Sequence, residues 1–327
     1  MKVSVLIPVY NKAPFLRECL DSVYAQTHAD LEVVAVDDHS TDGSLALLRA
    51  ETDRRLRIIE LPVNRGPAGA ANAGLDACTG TYIVRLDADD LMVPTRVERQ
   101  VAYMEAHPEV GASGGWLQLF GARDRVWKFP LTDAACKAQL LFGVPVSQGA
   151  SILRRSVLEA HGLRYDPAWP RVGEDWLFWT RLARVSAFGN LDAPMTLYRR
   201  GEQNISHGRD KRADHDLLVR AVLTWFQVPH TDADVRSHLM ALRLFEGIPS
   251  AADVRALHGW LSRLLEWNSR ERVFPVDAFD ARVRQAWDGL FHVLADRDVR
   301  AAWTHLRLGG GWSGEHLWYL FRKATRR

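Results

Sequence analysis

The sequence predicts an α/β fold, a doubly wound and mostly parallel sheet followed by an α-helical C-terminal region. Three observations carry this. Short runs rich in β-branched residues alternate with amphipathic stretches through the first half of the chain. Two of the runs end in aspartate-rich turns. Beyond about Asp210 long helical periodicities take over, broken at Pro229, Pro249 and Pro275.

The first strand is predicted at Val3–Ile7 and the second at Leu31–Val36. Between them Phe15, Leu16, Cys19, Leu20 and Val23 share one helical face, with Pro14 suited to a first turn. Arg57–Leu61 and Thr81–Leu86 continue the strand series around an Ala-rich helix from about Ala68 to Ala77. Ala70, Ala71, Ala73 and Gly74 suit that helix to close packing on the sheet. Further on, Ser147–Leu153 and Pro194–Arg199 read as strands and Glu174–Ala183 as a helix. After Asp210, the series Leu217, Leu218, Ala221, Val222 and Trp225 is amphipathic. The expected division is residues 1–210 for the sheet domain and 211–327 for the helical region.

Composition narrows the function classes. Lys plus Arg total 42 against 40 Asp plus Glu, a formal net charge of +2 that gives no reason to expect nucleic acid as partner. Three scattered cysteines, Cys19, Cys78 and Cys136, have neither metal-type spacing nor a disulfide framework. The N-terminus lacks a secretory pattern and no run reaches the length of a membrane span. A cytoplasmic protein is the expectation.

In open sheets of this kind ligands sit beyond the carboxyl ends of the strands. The first strand runs into Pro8-Val9-Tyr10-Asn11, the second into Asp37-Asp38-His39-Ser40-Thr41-Asp42, the fourth into Asp87-Ala88-Asp89-Asp90. Clustered carboxylates repel one another unless a cation neutralises them, and Mg2+ or Mn2+ commonly combines one or two carboxylates with substrate phosphates. Taken alone, Asp87–Asp90 favours a solvated turn opening the next helix over a metal site.

The ordered set changes that reading. Ser4-Val5-Leu6-Ile7-Pro8-Val9-Tyr10-Asn11, Val36–Asp42, Asn64-Arg65-Gly66, Ala70-Ala71-Asn72-Ala73-Gly74 and Asp87–Asp90 together resemble the family 2 glycosyltransferases of the GT-A fold, over roughly the first 210 residues. The resemblance implies an inverting, metal-dependent enzyme. It would move one sugar from a nucleoside-diphosphate sugar, UDP-linked by this reading, to a hydroxyl of a glycan or lipid-linked saccharide.

The same resemblance assigns residues. Pro8, Tyr10, Asp37 and Asp38 would form the nucleotide pocket, with Asp38 the better partner for the base. His39 stands where the family often has Gly, at a position that tolerates positive φ. Arg65 would balance nucleotide charge, Asp89 and Asp87 would hold Mg2+ or Mn2+, and Asp87 would share the ribose. Asp90 would serve mainly as structure. Glu174-Asp175 matches the family's ED motif, with Asp175 the preferred base and Glu174 close behind; acidic residues at a helix N-terminus are the plainer alternative. Arg199 or Arg200 would reach the phosphates, and His207 would complete the metal shell. The Gln-x-x-Arg-Trp signature of processive synthases is absent from the sequence, which favours single-sugar addition.

The end of the chain, Trp318–Arg327, joins aromatics to basic residues, a pattern suited either to a peripheral contact at the inner face of a membrane or to a solvated helix end. Two rival functions stay open on sequence grounds: a nucleotidyltransferase, and a catalytically silent sugar- or nucleotide-binding subunit.

Overall fold

The computed structural model describes residues 1–121, 125–169, 172–201, 208–311 and 313–325. Its chain divides into two compact units, Met1–Gly208 and Arg209–Arg327.

The first unit opens with β1 (Val3–Val9), α1 (Ala13–Tyr24), β2 (Leu31–Asp37), α2 (Ser44–Ala50), β3 (Leu56–Glu60), α3 (Gly66–Ala77) and β4 (Tyr82–Arg85). It continues through β5 (Leu91–Met92), α4 (Arg96–Ala106), β6 (Val110–Gly121), β7 (Arg125–Trp127) and α5 (Asp133–Gln139). A 3-10 turn at Gln148–Ala150 leads into β8 (Ile152–Arg154), α6 (Arg155–Ala160), α7 (Glu174–Leu182) and β9 (Ala187–Arg200). Among the described residues the sheet runs in the order β3-β2-β1-β4-β8-β6-β9-β5, with β7 paired to β6.

Strands β3, β2, β1 and β4 are mutually parallel. Because β8 is antiparallel to both β4 and β6, and β9 is parallel to β6, the strands β4, β6 and β9 share one direction. The sheet is therefore mostly parallel, as the alternating pattern requires. The strand expected over Ser147–Leu153 is shorter and later, because the backbone first turns through Gln148–Ala150. The strand expected over Pro194–Arg199 is the end of the longer β9.

Core packing explains why these segments adopt these forms. Val3, Val5, Ile7 and Val9 of β1, Val33 and Ala35 of β2, and Val84 of β4 are buried with Leu16, Cys19, Leu20 and Val23 of α1. Removal of such apolar area from water is the main stabilising term. On α3 the small residues are steric necessities. A Cβ on Gly74 would lie 2.0 Å from Leu6 Cδ1, so only glycine allows the helix this close to the sheet. Asn72 of the same helix clamps a distant segment, its amide exchanging 2.9 Å bonds with the Tyr165 backbone N–H and carbonyl.

The second unit is helical: α8 (Lys211–Trp225), α9 (Asp232–Ala241), α10 (Ala251–Glu271), α11 (Val276–Asp288), α12 (Phe291–Arg297), α13 (Val299–Gly309) and α14 (Gly314–Thr325). Capping boxes at Thr231/Asp234 and Ser250/Asp253 start α9 and α10 by satisfying otherwise orphaned backbone N–H groups. Trp260, Trp267, Phe274, Phe279 and Phe291 are buried there. No described helix is long and apolar enough to cross a membrane.

Candidate active site

A cleft of about 540 Å³ opens where β1 and β4 end. Its volume falls in the range usual for small-molecule sites. Pro8, Tyr10, Asp38, Asp87, Asp89, Glu174 and Asp175 all line it, as do Lys12, Arg85, Gln148 and Tyr198. Carboxylates expected from separate sequence motifs therefore converge on one cavity.

The loops that follow β2 and β3 are tied together by side chain-to-backbone hydrogen bonds. Asp38 Oδ1 accepts the Arg65 backbone N–H at 2.6 Å, and Asn64 Nδ2 donates to the Asp38 carbonyl at 3.0 Å. Asp37 is buried just outside the cleft lining, with Oδ2 accepting the Ser40 N–H at 3.1 Å. His39 takes φ +61°, the left-handed conformation that glycine adopts at least cost. Arg65 lines a smaller adjoining hollow with Asn64, Trp169 and Glu174.

At the end of β4 the aspartates separate into distinct environments. Asp87 keeps 45 % of its side chain exposed and faces Arg85 Nη2 at 3.6 Å. Asp89 is buried, and its Oδ2 lies 2.6 Å from Lys12 Nζ. Burial pushes the Asp89 carboxyl up, and the Lys12 ammonium pulls it part of the way back. Asp90 is almost wholly buried and is not part of the lining, its Oδ1 accepting the Arg199 N–H at 2.8 Å. Burial, then the neighbouring Asp87 and Asp89, raise its carboxyl well above the usual range.

Beneath these residues lies Arg96, fully buried and not singled out by the sequence. Its guanidinium donates to the carbonyls of Arg85, Gly149 and Ser151 and to Thr196 Oγ1 and Gln100 Oε1, at 2.7 to 3.1 Å. One side chain thereby fixes the end of β4 against the 3-10 turn and β9. The pinned turn brings Gly149 so near that a Cβ there would sit 3.0 Å from Asp87 Oδ2.

Across the cleft, α7 starts from Gly173 at φ +89°, a left-handed residue that swings the chain into the helix. The helix is anchored below by buried Trp176, Phe178 and Trp179, with Phe178 stacked on Tyr165 at 4.4 Å. Glu174 and Asp175 in its first turn are partly buried and face the cavity. Burial pushes Asp175 up to about 6, an effect opposed by the Trp176 N–H donated to Oδ1 at 2.8 Å. Burial and the adjacent Asp175 push Glu174 up to about 8.

Arg199 does not reach the cleft as expected. Its guanidinium is held between the Phe15 and Phe120 rings, 5.0 and 4.5 Å from their centroids, and donates to the Asp89 carbonyl at 3.0 Å and to Glu18 Oε2 at 2.6 Å. These aromatic and acidic partners satisfy the cation locally, so it braces the aspartate loop instead. Arg200 stacks on Trp127 at 5.4 Å and is not part of the lining. His207 lies outside the described residues.

No three described His, Cys, Asp or Glu side chains form a ready-made metal cage. The donor set still suits Mg2+ or Mn2+, which commonly take one or two carboxylates and complete their shell with phosphates and water. Asp87 and Asp89 supply such a pair on a rigid strand end, open to the cleft.

A largely parallel sheet thus carries paired carboxylates at one strand end, facing a second acidic pair across a ligand-sized cleft. Residues 4–162 match the family described as glycosyl transferase family 2. An uncharacterized glycosyltransferase of Haemophilus influenzae is 30% identical over 68% of this chain and 74% of its own length. The succinoglycan biosynthesis protein ExoO of Rhizobium meliloti is 34% identical over 67% of this chain and 66% of its own. The amylovoran biosynthesis glycosyltransferase AmsE of Erwinia amylovora is 38% identical over 40% and 51%. The chain belongs to glycosyl transferase family 2.

Solved structures share the fold. S. aureus TarS 1-349 in complex with UDP-GlcNAc superposes with a TM-score of 0.61 at 17% identity, covering 88% of this chain and 92% of that one. The mannosyltransferase PcManGT from Pyrobaculum calidifontis, in complex with GDP-Man and Mn2+, gives 0.56 at 20% identity, covering 99% and 86%.

Proposed function

We propose that this glycosyltransferase moves one sugar from a nucleoside-diphosphate sugar, UDP-linked by our reading, to an acceptor hydroxyl of a glycan or lipid-linked saccharide, by inverting single displacement. The observation that carries the reading is the meeting of Asp87 and Asp89 with Glu174 and Asp175 in one cleft. The first pair suits a diphosphate-bound cation, the second an acceptor proton. The polysaccharide roles named for ExoO and AmsE support a place in polysaccharide assembly.

Asp89 and Asp87 would hold Mg2+ or Mn2+, which when bound offsets charge developing on the leaving diphosphate. The Mn2+ in the mannosyltransferase complex supports this use. Pro8, Tyr10 and Asp38 receive base and ribose, with Asp37 holding the loop behind them. Asp175, the less elevated of the acidic pair, is the carboxylate present at neutral pH and removes the acceptor proton. Glu174, held protonated longer, orients the acceptor by hydrogen bonding. In the helical unit, α14 exposes Leu317, Trp318 and Phe321 beside Arg322, an arrangement suited to an anionic membrane face and a lipid-linked acceptor.

The test is a thermal-shift screen of UDP, GDP and their sugars with and without Mn2+, followed by product analysis. Metal-dependent stabilisation and release of free nucleoside diphosphate are expected. Asp89→Ala and Asp175→Asn should both abolish transfer, with only Asp89→Ala weakening metal-dependent nucleotide binding. No stabilisation by any nucleotide in any metal, or release of pyrophosphate, would overturn the reading.

A further inference from the structure

Arg85 is 3 % exposed, yet its side chain lines the cleft. Its backbone is fixed from two sides, the N–H donating to the Ser151 carbonyl at 3.0 Å and the carbonyl accepting from Arg96 at 2.7 Å. Of its guanidinium nitrogens, Nη2 faces Asp87 at 3.6 Å, longer than a good hydrogen bond. Nε and Nη1 are buried with no acceptor at good hydrogen-bond geometry, and so is Nε2 of Gln148 in the same lining. Arg96 ties the two residues together, since it also grips Gly149 beside Gln148. The buried Tyr165 hydroxyl lies close enough to the guanidinium to interact with it, without reaching good hydrogen-bond geometry.

Unpaired buried donors are costly, and a buried guanidinium more so than an amide. Here they gather where a cleft already presents the carboxyl groups of Asp87, Glu174 and Asp175. A sugar hydroxyl matches both kinds of group, because its O–H donates to a carboxylate while its oxygen accepts from N–H. A sugar bearing its own carboxylate would instead add negative charge beside the Asp87 and Asp175 carboxylates.

We propose that Arg85, assisted by Gln148, recognises the sugar of the donor, donating Nε–H and Nη1–H to hydroxyl oxygens and selecting a neutral sugar over a uronic acid. This rests on the function proposed above. It assigns Arg85 to the sugar and leaves the nucleotide to Asp38 and the cation.

The experiment measures, by calorimetry in Mn2+, binding of UDP, UDP-glucose, UDP-N-acetylglucosamine, UDP-glucuronic acid, GDP and GDP-mannose to the full chain. Wild-type protein is compared with Arg85→Met and Gln148→Leu. The expected result is that wild type prefers a neutral sugar ester to UDP-glucuronic acid at least tenfold. Arg85→Met should lower affinity for the best neutral ester at least tenfold while changing affinity for the parent diphosphate less than twofold. Gln148→Leu should act in the same direction by a few-fold, and it carries the test if Arg85→Met does not fold. Equal loss of ester and diphosphate, no change in either, or preference for the glucuronic ester would overturn the inference and leave the proposed function standing. Failure of wild type to bind any of the six would overturn both.

Discussion

Lys12 Nζ lies 2.6 Å from Asp89 Oδ2, so the aspartate proposed to hold a divalent cation is already paired with an ammonium. The lysine is held in position, because its backbone N–H donates to Ser44 Oγ at 2.8 Å. Both side chains are largely buried, which leaves the pair little screened by solvent. Two positive charges then compete for one carboxylate, and cation binding must displace or tilt the lysine. Lys12→Met should therefore tighten Mn2+ binding about fivefold without nucleotide, read by calorimetry. The same change leaves Asp89 without its ammonium, so the melting temperature in chelator should fall by roughly 3 °C and recover with Mn2+. Weaker Mn2+ binding by the variant would show that Lys12 supports the cation rather than opposing it.

The acidic pair on α7 makes a prediction about pH. Burial raises both carboxyls, Asp175 to about 6 and Glu174 to about 8. A raised carboxyl binds its proton more tightly in the folded than in the unfolded state, where it titrates near about 4. Its contribution is thus most favourable below that unfolded value and is lost as pH rises through the folded one. Glu174→Gln should raise the melting temperature by a few degrees at pH 8.5, by roughly the scale of 1 kcal/mol, and not at pH 5. Catalysis runs the other way: kcat/KM should climb as pH passes through about 6 and Asp175 loses its proton. A profile with no acidic limb near 6 would remove Asp175 as the base.

The fold was legible because its signals are local. Buried parallel strands appear as apolar β-branched runs, and the small residues of α3 announce close packing, as Gly74 against Leu6 shows. The convergence of Asp38, Asp87, Asp89, Glu174 and Asp175 followed from strand ends and an ordered motif set. What escaped were side chains whose meaning depends on distant partners. Arg96 reads as one more helix-opening basic residue, yet it bonds groups 53 to 100 positions away. Arg85 reads as an ordinary strand residue, and Lys12 as a surface lysine. Arg199 went astray for the same reason, since its Phe15, Glu18 and Phe120 partners come from a helix and a strand remote in sequence.

The turn after β2 allows a simple stability test. His39 is exposed and holds φ +61°, a conformation costly to any residue with a Cβ. Replacing it by glycine removes that cost, although glycine also loses more chain entropy on folding. The balance at left-handed positions favours glycine, so His39→Gly should stabilise the protein by about 0.5 to 1 kcal/mol in urea unfolding. A midpoint that falls would show that the imidazole makes compensating contacts in solution.

The last prediction concerns α14. Phe321 is 67 % exposed and Trp318 58 %, with Leu317 one turn before Phe321 on the same side. Arg322 lies over the Trp318 ring at 4.6 Å, which places positive charge beside the apolar surface. An aromatic side chain moved from water into a lipid interface gains on the order of 1.5 to 3 kcal/mol when fully buried, and basic residues near an anionic surface about 1 kcal/mol each. The full chain should therefore co-sediment with vesicles containing phosphatidylglycerol more strongly than with neutral phosphatidylcholine vesicles, and raised salt should reduce the difference. The double variant Trp318→Ser, Phe321→Ser should bind anionic vesicles at least tenfold more weakly while keeping its transfer activity toward a soluble acceptor. Equal sedimentation of variant and wild type would show that this face of α14 does not meet lipid.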